Sequence, residues 1–247
     1  MKTLLTLGKS NTKTAKTADR VEQAILHLAP ATLGGRQNVC SYASEQCIDA
    51  CLNLSGLGIM DSVQRARIAR TQLLFDDRET FLEILCKDID RLRKRAAKKS
   101  LLPVVRLNGT SDILWERMPV TVDGVTYASV MDRYTDVQFY DYTKIPTKHR
   151  RNLPSNYHIT FSLSENNQAA ALEALLAGVN VAVVFDSETL PSTYFGRPVI
   201  NGSSSDLRYE DPSGVVVGLC AKGKAKKIRG TADGFIRAAS IPWRAAA

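Results

Sequence analysis

The sequence predicts an α/β protein of a single domain, whose parallel strands form a partial or closed βα barrel of TIM-like layout. Strand-like and helix-like segments alternate along most of the 247 residues, which is typical of βαβ units. Several strands also carry apolar side chains at every second position, with polar or small ones between them. Parallel sheets rarely leave one face to solvent, so the polar face is predicted to line a lumen.

The first third of the chain contains one strand, one loop and two helices. Residues 1–20 are polar and rich in Lys and Thr, and we expect them to precede the domain. VEQAILHLAPA (21–31) predicts the first strand, and a cysteine-rich loop follows at 38–58. Residues 60–99 are nearly free of Gly and Pro and have apolar residues at helical spacing. This predicts two helices, with an aspartate of Asp76–Asp77 capping the second.

The rest of the chain alternates between the two kinds of element. Strands are predicted at 103–112, 136–143, 157–164, 180–186 and 214–223. Helices are predicted at 125–134 and at 166–178, where Gly178 ends the second. Residues 191–214 are predicted to form a long loop. The barrel-like domain is therefore expected to span 21–223, and a basic, flexible tail to follow at 224–247.

The strand 157–164 shows the two faces most clearly. Its apolar residues are Tyr157, Ile159, Phe161 and Leu163, and the four residues that alternate with them are polar. A barrel with a polar lumen explains this pattern. A flat two-layer sheet with one wet face explains it too, and remains the alternative.

Polar side chains follow each predicted strand at its carboxyl end, where βα barrels place their chemistry. The candidates for substrate binding are Arg106, Asn108, Asp112, Tyr142, Lys144, Ser162, Asp186 and Lys222. Arg106, flanked by Asn108 and Asp112, is the preferred clamp, because a buried guanidinium needs a partner. The sequence assigns no catalytic residue. His158 is a possible base, but a histidine in a strand is more often simply hydrogen-bonded.

Three of the five cysteines, Cys40, Cys47 and Cys51, lie within twelve positions. Thiolates suit zinc or the iron of an iron–sulfur cluster. Three thiolates with an open fourth position are typical of a reactive cluster or a catalytic metal. Cys47 and Cys51 are four residues apart and would share a helix face. Cys220, at the end of the last predicted strand, is the candidate for a fourth ligand, which would favour structural zinc.

Two other interpretations of the cysteines stay open. One is a redox pair with a bystander. The other is a set of inert thiols, with Cys47 and Cys51 on the buried face of a helix that ends at Gly56.

The charge of +8 is concentrated in three basic runs, which suit contact with the phosphates of DNA or RNA. The runs are Arg91–Lys99, Lys148–Arg151 and Lys222–Arg229. Solvated helix faces and a frayed tail are the alternative explanation. Motifs of P-loop, Rossmann, zincin and α/β-hydrolase proteins are absent from the sequence.

Two features of the sequence bear on location. No apolar run approaches the ~20 residues that span a bilayer, so no membrane partner is expected. The cysteines are odd in number and clustered, unlike a secreted disulfide framework. We therefore expect a cytoplasmic protein, in the bacterial host cell if the gene is phage-encoded. The oligomeric state does not follow from the sequence.

A cysteine triplet after a first strand, followed by a helix and a βα partial barrel, resembles the layout of radical SAM enzymes. The resemblance implies a [4Fe–4S] cluster on Cys40, Cys47 and Cys51, with S-adenosylmethionine at its open iron. RLNGTSD (106–112) would stand in for the glycine-rich motif. The cysteine spacing differs from the C-x3-C-x2-C of that family.

A second resemblance covers most of the chain. LGKSNTKTAKT, the cysteines ending in CLN, RLNGTSD and GLCAKGKAK together resemble a phage-encoded family called gene-product-88-like. This resemblance implies the site residues and no particular reaction. The leading hypothesis is thus a phage iron–sulfur enzyme, with SAM as an implied cofactor. The rival is a basic nucleic-acid-binding protein with structural cysteines or zinc.

Overall fold

The computed structural model describes residues 2–8, 14–35 and 37–243 of the chain. These residues include twelve strands and five α-helices. The strands are β1 (Leu5–Leu7), β2 (Val21–Leu26), β3 (Leu102–Arg106), β4 (Val120–Val122), β5 (Val125–Tyr127), β6 (Gln138–Thr143), β7 (Tyr157–Ser162), β8 (Val181–Phe185), β9 (Thr193–Tyr194), β10 (Arg197–Asn201), β11 (Val216–Cys220) and β12 (Ile236–Arg237). The α-helices are α1 (Glu45–Asp49), α2 (Asp61–Asp76), α3 (Arg78–Ala97), α4 (Val130–Arg133) and α5 (Gln168–Leu176).

Ten strands belong to one sheet, in the order β1, β2, β3, β6, β7, β8, β11, β10, β9, with β12 paired to β8. The pairs β2–β3, β3–β6, β7–β8, β8–β11, β10–β11 and β8–β12 are parallel. The pairs β1–β2 and β9–β10 are antiparallel. The fold is therefore a mixed α/β fold with one mostly parallel sheet. No pairing closes this sheet among the described residues, so a barrel stays a prediction.

The chain divides into two compact units. The first contains residues 1–41, 60–141 and 152–158, and the second contains residues 42–59, 142–151 and 159–247. In the first unit α3 packs on β2 and β3 with a face of buried apolar residues that includes Phe81, Leu85 and Ile89. In the second unit α5 packs on β8 and contributes Ala171, Ala174 and Leu175 to a buried cluster.

Caps set the ends of the long helices where the sequence predicts them. Asp77 separates α2 from α3, and its side chain accepts a hydrogen bond from Thr80 N at 3.0 Å. Asn167 precedes α5, and Gly178 follows it at a φ of 81°. Both predicted helix boundaries are confirmed.

Two segments contain hairpins in place of the predicted elements. The expected long loop 191–214 contains β9 and β10, and the expected helix 125–134 contains β5 before the short α4. Each hairpin has a two-residue turn with positive φ at both positions: Asp123–Gly124, and Phe195–Gly196. The turns reverse the chain within a few residues, so each strand pairs with its immediate neighbour.

Both ends of the chain contribute to the sheet. β1 lies within the expected polar leader and pairs with β2, because Asp88 of α3 accepts hydrogen bonds from Leu4 N at 2.6 Å and Leu5 N at 3.0 Å. β12 lies within the expected tail, and both of its residues are buried. The expected domain limits at 21 and 223 thus leave out two paired strands.

The polar faces of the strands are covered at several positions. Thr160 of β7 and Asp141 of β6 are fully buried, and Glu22 and Gln23, which lie on opposite faces of β2, are buried as well. His158 and Ser162, on the same face of β7 as Thr160, are only half-buried. The polar face of β7 is therefore shielded in part, and the alternative of one wet face stays open. No helix in the described part of the chain is long and apolar enough to cross a membrane.

Candidate functional site

In the first unit, Asn108 organises the loop that follows β3. Its Oδ1 accepts hydrogen bonds from Ser111 Oγ and Ile113 N at 2.9 Å and from Trp115 Nε1 at 3.0 Å. Its backbone N donates to Asp141 Oδ1 at 2.7 Å. The amide oxygen is thereby fully used within the protein. Asn108 was predicted to bind substrate, and the structure gives it a scaffolding position.

The same loop is attached to the segment after β2. Gly109 N donates to Leu26 O at 3.0 Å, and a Cβ at Gly109 would lie 2.6 Å from that oxygen, so only glycine fits this approach. Thr110 Oγ1 donates to Leu28 O at 2.6 Å. The thiol of Cys40 donates to Thr110 O at 3.7 Å, and Asp112 N donates to Val39 O at 2.8 Å. Gly109, Thr110 and Asp112 of RLNGTSD are therefore hydrogen-bonded to backbone carbonyls between residues 26 and 39.

Arg106 lies at the carboxyl end of β3 among other basic groups. It is half-buried, and its charge acts on His27, which follows β2. Arg67 and Arg70 of α2 act on the same imidazole. Burial, followed by the three guanidinium charges, lowers the pKa of His27 to about 3. The predicted clamp residue thus belongs to a cationic group that the sequence did not reveal.

In the second unit, two predicted substrate-binding residues meet. Lys144, directly after β6, donates from Nζ to Ser162 Oγ of β7 at 2.9 Å. The Lys144 ammonium also lies 5.3 Å from the centre of the Phe235 ring, in a cation–π contact. Tyr142 is half-buried in β6. A charged donor between a hydroxyl and an aromatic ring can hold an anionic or carbonyl group.

Helix α1 carries Cys47 and is fixed at its first turn. Ser44 caps it by accepting a hydrogen bond from Cys47 N at 3.3 Å. Glu165, which follows β7, accepts from Ser44 Oγ at 2.6 Å and from Gln46 N at 3.0 Å. A carboxylate at the amino end of a helix is electrostatically favourable, although the helix here has only five residues.

Cys47 and Cys51 do not share a helix. α1 ends at Asp49, and Cys51 has a non-helical backbone, with ψ at 132°, and caps a 3₁₀ helix at Leu52–Leu54. Both cysteines are half-buried, and α1 contains no buried residue. The prediction of a shared helix face is wrong, and so is the inert-thiol alternative with both side chains on a buried helix face that ends at Gly56. Because α1 ends before Cys51, the two cysteines share neither one helix face nor a helix that continues to Gly56.

The segment after Cys47 lies against the segment after Cys220. Ala50 belongs to one buried cluster with Ala221, Ala225 and Ile236. A Cβ at Gly223 would lie 2.1 Å from Ser55 Oγ, which shows how closely the two segments approach. The Cys220 thiol accepts a weak hydrogen bond from Ser203 Oγ at 4.0 Å. Among the described residues, no group of three or more His, Cys, Asp or Glu side chains is arranged to hold a metal ion.

Asp186 fixes the C-terminal segment. Its Oδ2 accepts from Gly230 N at 3.2 Å and its Oδ1 from Ala239 N at 3.0 Å, on either side of β12. Asp186 was predicted to bind substrate, and both of its oxygens are used by backbone amides. β12 also contains Arg237, which is 1% exposed and donates to Ser164 O at 3.4 Å.

The three basic runs differ in how far they are neutralised. In Arg91–Lys99, Arg91 pairs with Asp88 at 2.7 Å, Arg93 with Asp136 at 2.8 Å, and Arg95 and Lys99 with Glu22. In Lys148–Arg151, Arg150 is buried and Lys148 and Arg151 are exposed. Lys222–Arg229, which includes the 3₁₀ helix Gly223–Lys227, presents five exposed cations. They are Lys222, Lys224, Lys226, Lys227 and Arg229.

Several residues that form these groups were missed. Arg67 could have been found, because it precedes the core residues Thr71 and Leu74 at the i, i+4, i+7 spacing of one helix face. Phe235 and Arg237 lie in the expected tail and had no signal in the local sequence.

The fold and these groups define an α/β protein with polar side chains at the carboxyl ends of parallel strands. Residues 5–237 match the family model described as Gene product 88. The chain therefore belongs to the gene product 88 family, the phage family that its motifs resemble. No curated protein and no solved structure gives a significant match to the chain.

Proposed function

We propose that the protein is a phage metalloprotein that binds its metal through cysteine thiolates of the second unit. The observation that carries the proposal is the packing of residues 50–55 against residues 221–227. Cys51 lies in the first of these segments, Cys47 lies three residues before it, and Cys220 directly precedes the second. Three of the five thiols therefore lie on or beside two chain segments that are in contact.

The type of donor suits a soft metal ion, although the thiols of the described residues are not arranged around a common point. Cys47, Cys51 and Cys220 are half-buried and form no disulfide. Thiolates of this kind bind zinc, copper(I) or iron–sulfur iron. An iron–sulfur cluster with one open iron would supply one-electron chemistry, and zinc would supply a structural cross-link or a Lewis acid. Lys144 and Ser162 would bind the polar part of a substrate.

The more specific proposal is a [4Fe–4S] enzyme that uses S-adenosylmethionine, on a partial barrel. The strand order supports the barrel part. The strands β2, β3, β6, β7, β8 and β11 follow one another in the sheet as they do in the chain, and β10, which is parallel to β11, lies beyond β11. βα barrels have this order, whereas a doubly wound sheet reverses its order near the middle.

Metal analysis under anaerobic conditions tests the proposal. The protein would be purified without oxygen, and its visible spectrum and its iron, zinc and sulfide per chain measured. A cluster predicts broad visible absorption with about four irons and four sulfides. A colourless protein that contains zinc would indicate a zinc site and not a cluster. Wild-type protein without either metal would contradict a metal centre.

Cysteine variants locate the metal. Cys47→Ala and Cys220→Ala should each lose it. Cys86→Ala is the matched control, because Cys86 is buried in α3 of the first unit and should leave the metal content unchanged. Equal loss in all three variants would indicate unfolding rather than loss of ligands. Cys40→Ala then tests the ligand set that the sequence predicts.

The second candidate function is nucleic-acid binding, supported by the five exposed cations of Lys222–Arg229. Charges on one short segment can neutralise several consecutive phosphates. Binding of labelled DNA and RNA would be measured by anisotropy against salt concentration. Replacing Lys224, Lys226 and Lys227 by Gln should flatten the log–log salt slope by about 0.9 for each lost contact. The matched control is Lys94→Gln with Lys98→Gln on α3, and an equal effect there would contradict this site.

A further inference from the structure

We propose that the first unit binds an oxyanion, a phosphate or carboxylate group, among His27, Arg67, Arg70 and Arg106, which we call the arginine cluster. The proposal goes beyond the metal centre, since it uses neither the thiols nor the basic segment at Lys222–Arg229. It also extends the role of Arg106 from a single clamp residue to one donor of several.

Two members of the cluster lie at the carboxyl edge of neighbouring parallel strands. Arg106 is the last residue of β3 and pairs with Ile25 of β2. His27 follows the last residue of β2. Ligands of open parallel sheets bind outside the carboxyl ends of the strands. Arg106 and His27 are therefore placed at the edge of the sheet where ligands of parallel sheets bind.

The other two members come from one turn of α2, which is fixed on the segment after β2. Thr71 Oγ1 accepts from Ala29 N at 2.9 Å and donates to Arg67 O at 3.0 Å. Gly34 is also in contact, since a Cβ there would lie 2.3 Å from Thr71 Cγ2. The turn that contains Arg67 and Arg70 is thus held two residues from His27. This attachment places the turn of α2 that contains Arg67 and Arg70 beside the segment that follows β2.

The burial of Arg70 favours an added anion. Burial lowers the pKa of the Arg70 guanidinium, and a bound anion would offset the cost of keeping that charge away from water. The imidazole of His27 stays neutral at pH 7, because burial and the charges of Arg67, Arg106 and Arg70 lower its pKa. A neutral imidazole can donate one N–H to an oxyanion, beside the planar forks of the arginines.

The carboxylate that acts on Arg70 is already in use. Asp88 raises the pKa of Arg70 against the larger effect of burial, which lowers it. Its oxygens, however, accept from Thr3 Oγ1, from the backbone of Leu4 and Leu5, and from Arg91. Within the described part of the chain, the buried Nε of Arg70 has no hydrogen-bond partner. An oxyanion supplies the acceptor that this donor lacks.

Binding of inorganic phosphate tests the site directly. Calorimetric titration of the full chain with phosphate would be compared with sodium chloride at equal ionic strength. Arg70→Gln should weaken phosphate binding about tenfold or more, because a hydrogen bond to a charged group is lost. Arg65→Gln is the matched control, since Arg65 is exposed on the same helix and lies outside the cluster. Its affinity should equal that of the wild type.

The His27 ring gives an independent readout by NMR. Without phosphate its signals should not titrate between pH 5 and pH 8, and with bound phosphate its pKa should rise into that range. The same rise with acetate but not with phosphate would identify the oxyanion as a carboxylate. No change with either anion in the wild type would overturn the proposal, and so would equal weakening by Arg65→Gln and Arg70→Gln. If Arg70→Gln does not fold, the wild-type titration decides alone.

Discussion

Glu22 is a buried carboxylate that is paired with Arg95 of α3 and with Lys99, which follows α3. It is 3% exposed and accepts from Arg95 Nε at 3.1 Å and from Lys99 Nζ. Burial raises the pKa of Glu22, but the hydrogen bonds from Lys99 and Arg95 outweigh it, so the pKa falls below its ordinary value. A carboxyl group with a lowered pKa in the folded state stabilises that state only while it is ionised.

Glu22→Gln is expected to lower the free energy of unfolding at pH 7 by about 1–3 kcal/mol, since two charged hydrogen bonds lose their anion. The contribution is complete above the unfolded pKa of about 4.3 and is lost as the pH falls through the folded pKa. Urea unfolding of wild type and variant at pH 7 and pH 3 measures this. The difference between them should shrink at the lower pH.

The control for Glu22→Gln is Glu83→Gln, because Glu83 is a solvent-exposed carboxylate of α3. Glu83 and Lys87 form an exposed ion pair at 3.3 Å. Exposed pairs contribute about 0–1 kcal/mol, so this variant should unfold nearly as the wild type does. Equal stability of the two variants at pH 7 would contradict the role given to Glu22, and so would a difference that persists at pH 3.

Single residues show where sequence reasoning reaches its limit. Asn108 and Asp186 were correctly placed after strands, and that position favoured substrate binding. In the structure both side chains accept hydrogen bonds within the protein, from Ser111, Ile113 and Trp115 for Asn108 and from Gly230 and Ala239 for Asp186. Substrate binding by either residue stays a prediction. The donors for Asp186 lie more than forty residues away in the chain. No local pattern could show that its oxygens are already used.

At the scale of one element, α1 depends on Ser44 because the helix is too short to be stable alone. Ser44→Ala removes the N-cap on Cys47 N and the hydrogen bond to Glu165. The helix should then open more often, by about 1–2 kcal/mol of local stability. Labelling of Cys47 by a thiol reagent should accelerate by about tenfold or more, since 1.4 kcal/mol is a factor of ten.

Ser129→Ala controls for loss of a serine cap in general. Ser129 caps α4 in the first unit by accepting from Asp132 N at 3.3 Å. Labelling of Cys47 should be unchanged in this variant. If Ser44→Ala also leaves the labelling rate unchanged, α1 is held by contacts other than its cap. Cys47→Ala protein identifies the labelling that comes from the other thiols.

The elements that the sequence predicts well are those with local signals. α3 has a cap at Asp77 and a buried apolar face, α5 is followed by Gly178, and α2 ends at the Asp76–Asp77 boundary that the sequence predicts. The β4–β5 hairpin was missed although Asp123–Gly124 is a typical turn sequence. The β9–β10 turn has Phe195 at a φ of 53°, which a bulky residue rarely adopts, so its sequence gives a weaker signal. β12 has only two residues, and its pairing with β8 is non-local.

For the whole molecule, the main revision concerns where the folded part ends. The basic composition after residue 222 predicted a flexible tail. In the structure the charged side chains of Lys222–Arg229 are exposed, while Ala225, Ile236 and Ala238 are buried. The segment thus has basic residues on its exposed side and apolar or small residues on its buried side. Its average composition reflects the exposed charges and does not reveal the buried residues.

Ending the chain after Arg229 tests this revision. The truncation removes β12, the two amides that bind Asp186, the Phe235 amide that donates to Gln46 Oε1 at 2.8 Å, and the Phe235 ring beside Lys144. We expect the second unit to lose several kcal/mol, which corresponds to a fall in Tm of roughly 10 °C or more at about 2–4 °C per kcal/mol. Thermal unfolding followed by circular dichroism measures it.

The full chain with Gln at Lys224, Lys226 and Lys227 separates packing from charge. These side chains are exposed, so this variant should melt within about 2 °C of the wild type, because surface substitutions are usually within ±0.5 kcal/mol. If the truncated protein instead has the same Tm as the full chain, residues 230–247 add nothing to stability and the tail interpretation holds. If the lysine variant melts as early as the truncated protein, charge rather than β12 stabilises this end of the chain.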